Sequence, residues 1–248
     1  MKYKLLLAYD GTQYGGWQVQ NNSTAIQALL ENALATILRA PIAITGAGRT
    51  DAGVHALGQV AHFTYEQPLD LFRTQGSLNG LLPPDIRVLE VQTASDDFHA
   101  RYSAKSKIYH YHLHLDSVMS PFHRLYRHHV HFSIDLEELR TATKLFIGTH
   151  DFSAFANEAS AGAAAKNPIR TITRLDVAPQ EGGLRLEFEG DSFLYKMVRN
   201  ITGTLLDVCR GKISREQIPE IFASKDRRLA GSAAPPQGLF LVKINYIE

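Results

Sequence analysis

The chain holds a single cysteine, Cys209, so no intrachain disulfide framework can staple it. With no recognisable export signal, that scarcity points to the cytoplasm. Long apolar runs are missing as well: none reaches the roughly 20 residues of a membrane-spanning helix. The opening stretch places Lys2 and Lys4 before a short apolar run, as a secretion signal would. That run breaks at Asp10-Gly11 with no small-residue cleavage site behind it, so a first strand is the expected reading. An excess of one charge sign is also absent, with 26 Lys and Arg against 25 Asp and Glu. This balance does not mark a nucleic-acid binder, so any RNA binding has to rest on local clusters of cations. Such clusters are Arg101, Lys105 and Lys107; Arg124 and Arg127; Arg199, Arg210, Lys212 and Arg215; and Lys225, Arg227 and Arg228. Each, taken alone, reads better as solvated surface charge.

What is present is ordinary for a globular protein. The chain has 248 residues, 44% hydrophobic and 21% charged, enough for one large domain or two small ones with a real core. Tyr3, Leu5, Leu7 and Tyr9 alternate as one face of a strand over residues 2–9. Thr24 and Gln27 form a capping-box pattern ahead of a helix whose stripe is Ile26, Leu29, Leu30, Ala33, Leu34 and Ile37. Further helices are expected at 69–81, stopped by Pro83-Pro84, at about 135–147, with Asp135 and Glu138 as cap residues, and at about 194–209 and 215–223. Strands are expected around 58–64, at 86–92, 108–115, 128–132, 169–178, 184–190 and 239–247. Residues 154–168, alanine-rich with Asn167-Pro168, read as a mobile loop. Both halves run roughly β-α-β-β-α-β, which suggests two α+β lobes sharing a sheet, 1–105 and 106–248.

The densest chemical signal is Gly46-Ala47-Gly48-Arg49-Thr50-Asp51-Ala52-Gly53. Glycines admit backbone angles closed to other residues and let a ligand come close. An arginine two positions from an aspartate can keep the carboxylate ionised. The same residues also describe a tight turn with a structural ion pair, and composition does not decide between the two. The phosphate-loop pattern is absent. His110, His112 and His114 share one strand face and could ligate zinc, although a polar sheet face explains them better and no cysteine or carboxylate completes a set. His128, His129 and His131 have the same standing. Tyr102, Tyr109, Tyr111 and Tyr126 lie among basic residues, where aromatic rings either pack a core or stack bases.

The run from Gly46 through Asp51 to Val60 resembles the active-site motif of the TruA family of tRNA pseudouridine synthases. The resemblance continues in order along nearly the whole chain. It takes in Tyr9-Asp10-Gly11-Thr12 with Gly15-Gly16-Trp17-Gln18, and Phe98-His99-Ala100-Arg101 with Lys107-Ile108-Tyr109-His110-Tyr111. Later come Gly148-Thr149-His150-Asp151-Phe152, Phe193 through Asn200, and Ala234 through Leu239. It implies a pseudouridine-synthase α+β fold, with a central, mainly antiparallel mixed sheet, helices, and two lobes around an active-site cleft. It implies a homodimer acting on transfer RNA at uridines 38–40 of the anticodon stem-loop, with no metal or organic cofactor. It makes Asp51 the catalytic carboxylate, Arg199 its guanidinium partner, and Tyr109 the ring that stacks on the uracil and is a candidate for the C5 proton. Arg49, Gly48, Thr50 and His55 fall on the substrate side, with Arg49 a candidate to help extrude the base. Two other readings remain: a non-catalytic RNA-binding protein using the same residues, and a metal-dependent hydrolase built on His110, His112 and His114.

Overall fold

The computed structural model describes residues 1–18, 23–157 and 167–247. Among them lie ten strands and five α-helices, and two compact units form: Met1–Lys105 with Phe240–Glu248, and Ser106–Leu239.

The first unit contains β1 (Lys2–Tyr9), α1 (Ile26–Leu38), β2 (Thr45–Gly46), β3 (His55–Thr64), α2 (Leu71–Leu81) and β4 (Ile86–Ala94). Most of the C-terminal strand, β10 (Leu239–Tyr246), joins it. In β1 the alternation works as expected: Tyr3, Leu5, Leu7 and Tyr9 are buried, and the residues between them are partly exposed. β1 runs antiparallel to β4 along one edge and to β3 along the other. β3 divides its remaining edge: β10 pairs with it in parallel at His55 and Ala56, and β2 pairs antiparallel at Ala61 and His62. Residues 47–54 connect β2 back to the start of β3, so the glycine-rich run becomes a loop fastened at both ends to one strand. Ile26, Leu30, Ala33 and Leu34 of α1 are buried, and α1 packs on α2.

A side-chain cap sets the start of α2 but not that of α1. Asp70 caps α2 by accepting the Arg73 amide at 3.0 Å. The capping box expected at Thr24 and Gln27 does not form. The first helical amides, Ile26 N and Gln27 N, donate instead to the carbonyls of Gly16 and Trp17, at 3.2 and 3.0 Å. Gln27 turns its amide to Glu31 Oε1 and the Ile44 carbonyl. A backbone segment has taken the place of the side-chain cap.

The second unit contains most of β5 (Ala104–His114), then β6 (His128–His129), α3 (Leu136–Lys144), β7 (Gly148–Asp151), β8 (Ile169–Gln180), β9 (Gly183–Gly190), α4 (Met197–Cys209) and α5 (Gln217–Ser224). β5, β9, β8 and β7 lie side by side, each antiparallel to its neighbour, and β6 adds a short parallel pairing to β5. β8 and β9 are a hairpin closed across Gln180 and Gly183. Asp135 caps α3, accepting the Glu137 and Glu138 amides. Phe146, Phe152 and Phe155 are fully buried, and Phe222 of α5 packs on all three rings. The strand expected at 128–132 shrinks to two residues, and β7 was not anticipated. Of the loop expected at 154–168, residues 158–166 lie outside the described residues, and Ser153–Phe155 form a 3-10 turn. The α+β class with a mixed, mainly antiparallel sheet is as the sequence led one to expect.

Candidate active site

The loop carrying Asp51 is held by backbone and neutral side chains. Ala47 donates its amide to the Val60 carbonyl at 2.7 Å, continuing the β2–β3 pairing by one residue. Gln59 is completely buried, and its side-chain amide donates to the Gly48 carbonyl at 2.9 Å and to the Tyr9 hydroxyl at 3.4 Å. The Tyr9 hydroxyl shares a 2.8 Å hydrogen bond with Thr50 Oγ1. Burial pushes the Tyr9 phenol up to about 12, against the opposing pull of its bonds to Thr50 and Gln59. It therefore remains a neutral hydroxyl, able to donate and accept at once.

A second strut comes from the chain after β1. The Trp17 amide donates to the Thr50 carbonyl at 3.0 Å. Gly16, at φ +98°, makes this contact feasible: a Cβ there would stand 2.5 Å from the Thr50 oxygen. The Asp51 carbonyl accepts the Val54 amide at 3.1 Å, closing a turn whose third residue, Gly53, has φ +77°. Asp51 thus has its backbone tied on both sides while the residue itself stays half-exposed. A fixed carboxylate that solvent can reach is also one that a ligand can reach.

The neighbouring residues divide by exposure. Arg49 is exposed, Gly48 half-exposed, and Thr50 and His55 buried. His55 Nδ1 accepts the Gly11 amide at 3.1 Å, and Asp10 Oδ1 stands at the same distance from that nitrogen. The His55 ring stacks on Phe240, with centroids 4.5 Å apart. Within this unit the structure brings together Gly48, Thr50, Asp51 and, behind them, Tyr9 and Gln59. Sequence reasoning overlooked Gln59. Its signal was there: a glutamine between Gly58 and Val60, in a strand otherwise suited to burial, requires polar partners.

The second unit holds the other two expected site residues. Tyr109 is 7% exposed and meets Phe193 edge-on at 5.1 Å. Arg199 lies in the first turn of α4, where its Nε donates to the Ala234 carbonyl at 2.7 Å and its own carbonyl accepts the Ala234 amide at 2.9 Å. Tyr111, next along the same face of β5, is buried and donates its hydroxyl to the Pro235 carbonyl at 2.8 Å. Burial raises its phenol far above the ordinary range, against the charge of Arg199. Tyr111 and Arg199 are thus both tied to the 234–235 backbone.

The histidine face of β5 is taken up differently. His110 faces Arg185, Glu187 and Arg174, and burial and then the Arg185 charge lower its pKa to about 4. His112 Nδ1 pairs with Gln180 Oε1 at 2.7 Å. Among the described residues no group of three or more His, Cys, Asp or Glu is placed to hold a metal ion.

Comparison with known proteins gives a consistent result. A family model described as tRNA pseudouridine synthase matches residues 6–103 and 142–247. The chain is 58% identical over 245 residues to tRNA pseudouridine synthase A 1 of Protochlamydia amoebophila, covering 98% of this chain and 96% of that protein. It is 43% identical over 243 residues to tRNA pseudouridine synthase A of Acetivibrio thermocellus, with 98% of each chain covered. It is 44% identical over 247 residues to the protein of that name in an Exiguobacterium species, covering 99% of this chain and 98% of the relative. With the Asp51 loop at the centre of the first matched segment, the chain belongs to the tRNA pseudouridine synthase family.

Proposed function

We propose that the protein isomerises uridine to pseudouridine in transfer RNA, at positions 38–40 of the anticodon stem-loop, with Asp51 as the catalytic carboxylate. The observation that carries this reading is the family match along the chain, together with a half-exposed aspartate on an immobilised loop inside it. The chemistry is balanced without a co-reactant. The C1′–N1 bond breaks, a C1′–C5 bond forms, C5 releases a proton and N1 regains one.

Asp51 is suited to the first half of this reaction. Its carboxylate either adds to C1′ as the base leaves or takes the 2′ proton on a route through a glycal. Deuterium at C2′ separates the routes, since only the second breaks that C–H bond. Either way the detached uracil must turn without escaping, and water must be kept from C1′, because its attack leaves an abasic site. The family resemblance assigns Arg199 as the guanidinium partner of Asp51 and Tyr109 to stack on the uracil, with the C5 proton a candidate second task. A tyrosine with an ordinary pKa of about 10 needs help from its site for that last step. Arg49, exposed beside Asp51, is assigned to the RNA and to holding the base out of its stack. Gln59 and Tyr9 position the loop, and Thr50, bonded to Tyr9, is assigned with Gly48 and His55 to the substrate side. The working protein is a homodimer in the cytoplasm.

The test is direct. Transfer RNA tritiated at uridine C5 should lose tritium to water when incubated with the protein. Folded protein that binds the RNA and releases none would leave only the reading of a non-catalytic RNA binder.

A further inference from the structure

The loop joining β4 to β5 carries an unusual arrangement. Every backbone amide from His99 to Ser103 has an acceptor inside the unit. His99 N donates to Ser103 Oγ at 3.0 Å and Ser103 N to the His99 carbonyl at 2.9 Å. Ala100 N donates to His62 Nδ1 at 3.2 Å. Arg101 N and Tyr102 N both donate to His99 Nδ1, at 3.1 and 3.2 Å. The carbonyls are engaged as well: Phe98 O accepts Lys2 Nζ at 2.7 Å, and Ala100 O accepts the Tyr246 hydroxyl at 2.7 Å. The loop is thus fastened to β1, β3 and β10.

This rigid loop presents an aromatic ring to solvent. Tyr102 is 76% exposed. One side rests on the His99 imidazole, with centroids 4.3 Å apart and planes 33° from parallel. The Arg101 guanidinium lies 5.9 Å from its centroid. Because His99 Nδ1 accepts two amides, the ring proton sits on Nε2. Burial, then the charges of Lys2 and Arg101, lower the His99 pKa, so the imidazole stays neutral in that tautomer. Lys105, also exposed, adds a cation, and Lys2 offsets Asp97. A large ring held outward on a loop whose five amides are all engaged buries little beyond its contact with His99, and apolar surface of that size costs free energy in water. A flat ring beside a guanidinium is what an unpaired nucleobase and its phosphate require.

We infer that His99, Arg101 and Tyr102 form an RNA-docking platform, on which an unpaired base of the transfer RNA stacks against Tyr102 while Arg101 takes an adjacent phosphate. This rests on the reading of the protein as a tRNA-modifying enzyme. The platform is preorganised, so docking orders no loop. It affects affinity and leaves the chemical step alone.

The experiment measures Kd for tRNA by fluorescence anisotropy across a salt series, alongside tritium release at saturating tRNA. Tyr102→Leu keeps the apolar bulk and removes the ring; Kd should rise about tenfold, within the range that base–aromatic stacking carries. Tyr102→Phe should restore wild-type affinity. Arg101→Gln should reduce the salt slope of binding by about one. Saturated turnover should stay at the wild-type rate in all three, which a general folding defect would not allow. An unchanged Kd in Tyr102→Leu overturns the inference whatever Arg101→Gln does, as does a Tyr102→Phe variant as weak as Tyr102→Leu. Failure of the wider reading has a different signature: no tritium release by the unaltered protein.

Discussion

Two polar regions of this molecule are built on opposite principles. Around the Asp51 loop, Tyr9, Thr50 and Gln59 are buried and neutral, each satisfied by partners of fixed geometry. On the β8–β9 hairpin, Arg174 reaches Glu187 at 2.6 Å and Glu189 at 3.5 Å, Arg185 also pairs with Glu187, and the arginines remain about one-third exposed. Ionic groups at a wet surface have many nearly equivalent arrangements, and water competes for each. Neutral groups in a dry interior have few, because any unmade hydrogen bond costs about 1–3 kcal/mol. The molecule uses the second device where a side chain must be aimed and the first where a sheet face meets solvent.

The largest expected effect lies at what the neutral network aims. Asp51→Ala should cut tritium release by on the order of 10⁴-fold or more while leaving tRNA affinity near the wild-type value. Rapid-quench assays with a parallel binding titration measure both, and a variant that turns over at a tenth of the normal rate would remove Asp51 from the chemistry. Next is Gly16→Ala, which forces a Cβ to 2.5 Å from the Thr50 carbonyl at φ +98°. It should lose about 3 kcal/mol or more in urea denaturation, with activity falling alongside. Gln59→Leu conserves bulk but abandons the Gly48 carbonyl and the Val60 amide. A loss of about 2 kcal/mol is expected, with kcat falling more than KM rises. Equal effects on kcat and KM would mean that the network supports the fold without aiming the loop.

The smallest effect belongs to the ionic face and is read with pH. His110 is neutral in the folded protein, with its pKa lowered from 6.5 to about 4. The unfolded chain takes the proton first, so this contribution is whole above pH 6.5 and declines as pH falls from there toward about 4. His110→Gln should flatten that part of the stability–pH curve and leave the curve above neutrality unchanged. A slope of the same size in the variant would assign it to another group.

What the sequence made legible were features with short periods. The alternation at Tyr3, Leu5, Leu7 and Tyr9, the stripe of α1 and the cap at Asp135 all depend on residues within a few positions of one another. The glycine-rich run was legible as a loop, and the ordered motifs named its family. Contacts across large separations were not legible. Tyr9 and Thr50 are 41 positions apart, and nothing local announces that a strand's last tyrosine will clamp a threonine in another loop. The cap of α1 failed for the same reason: Thr24 and Gln27 have the right spacing, but the carbonyls of Gly16 and Trp17 arrive first. β10 is a strand by its own pattern, yet pairing it in parallel with β3 at His55 needs a chain reversal that no local window contains.

The Gly16–Trp17 segment has one more consequence. Its two carbonyls grip the leading amides of α1, and the Trp17 amide grips the Thr50 carbonyl, so the helix and the acid-bearing loop hang from one clasp. The loop has no private hinge: lifting it means unseating the helix. Amide exchange at Trp17, Ile26 and Gln27 should therefore proceed at a common slow rate, set by the opening of the whole unit. A carboxylate mounted this way is a fixed post on the unit that carries it.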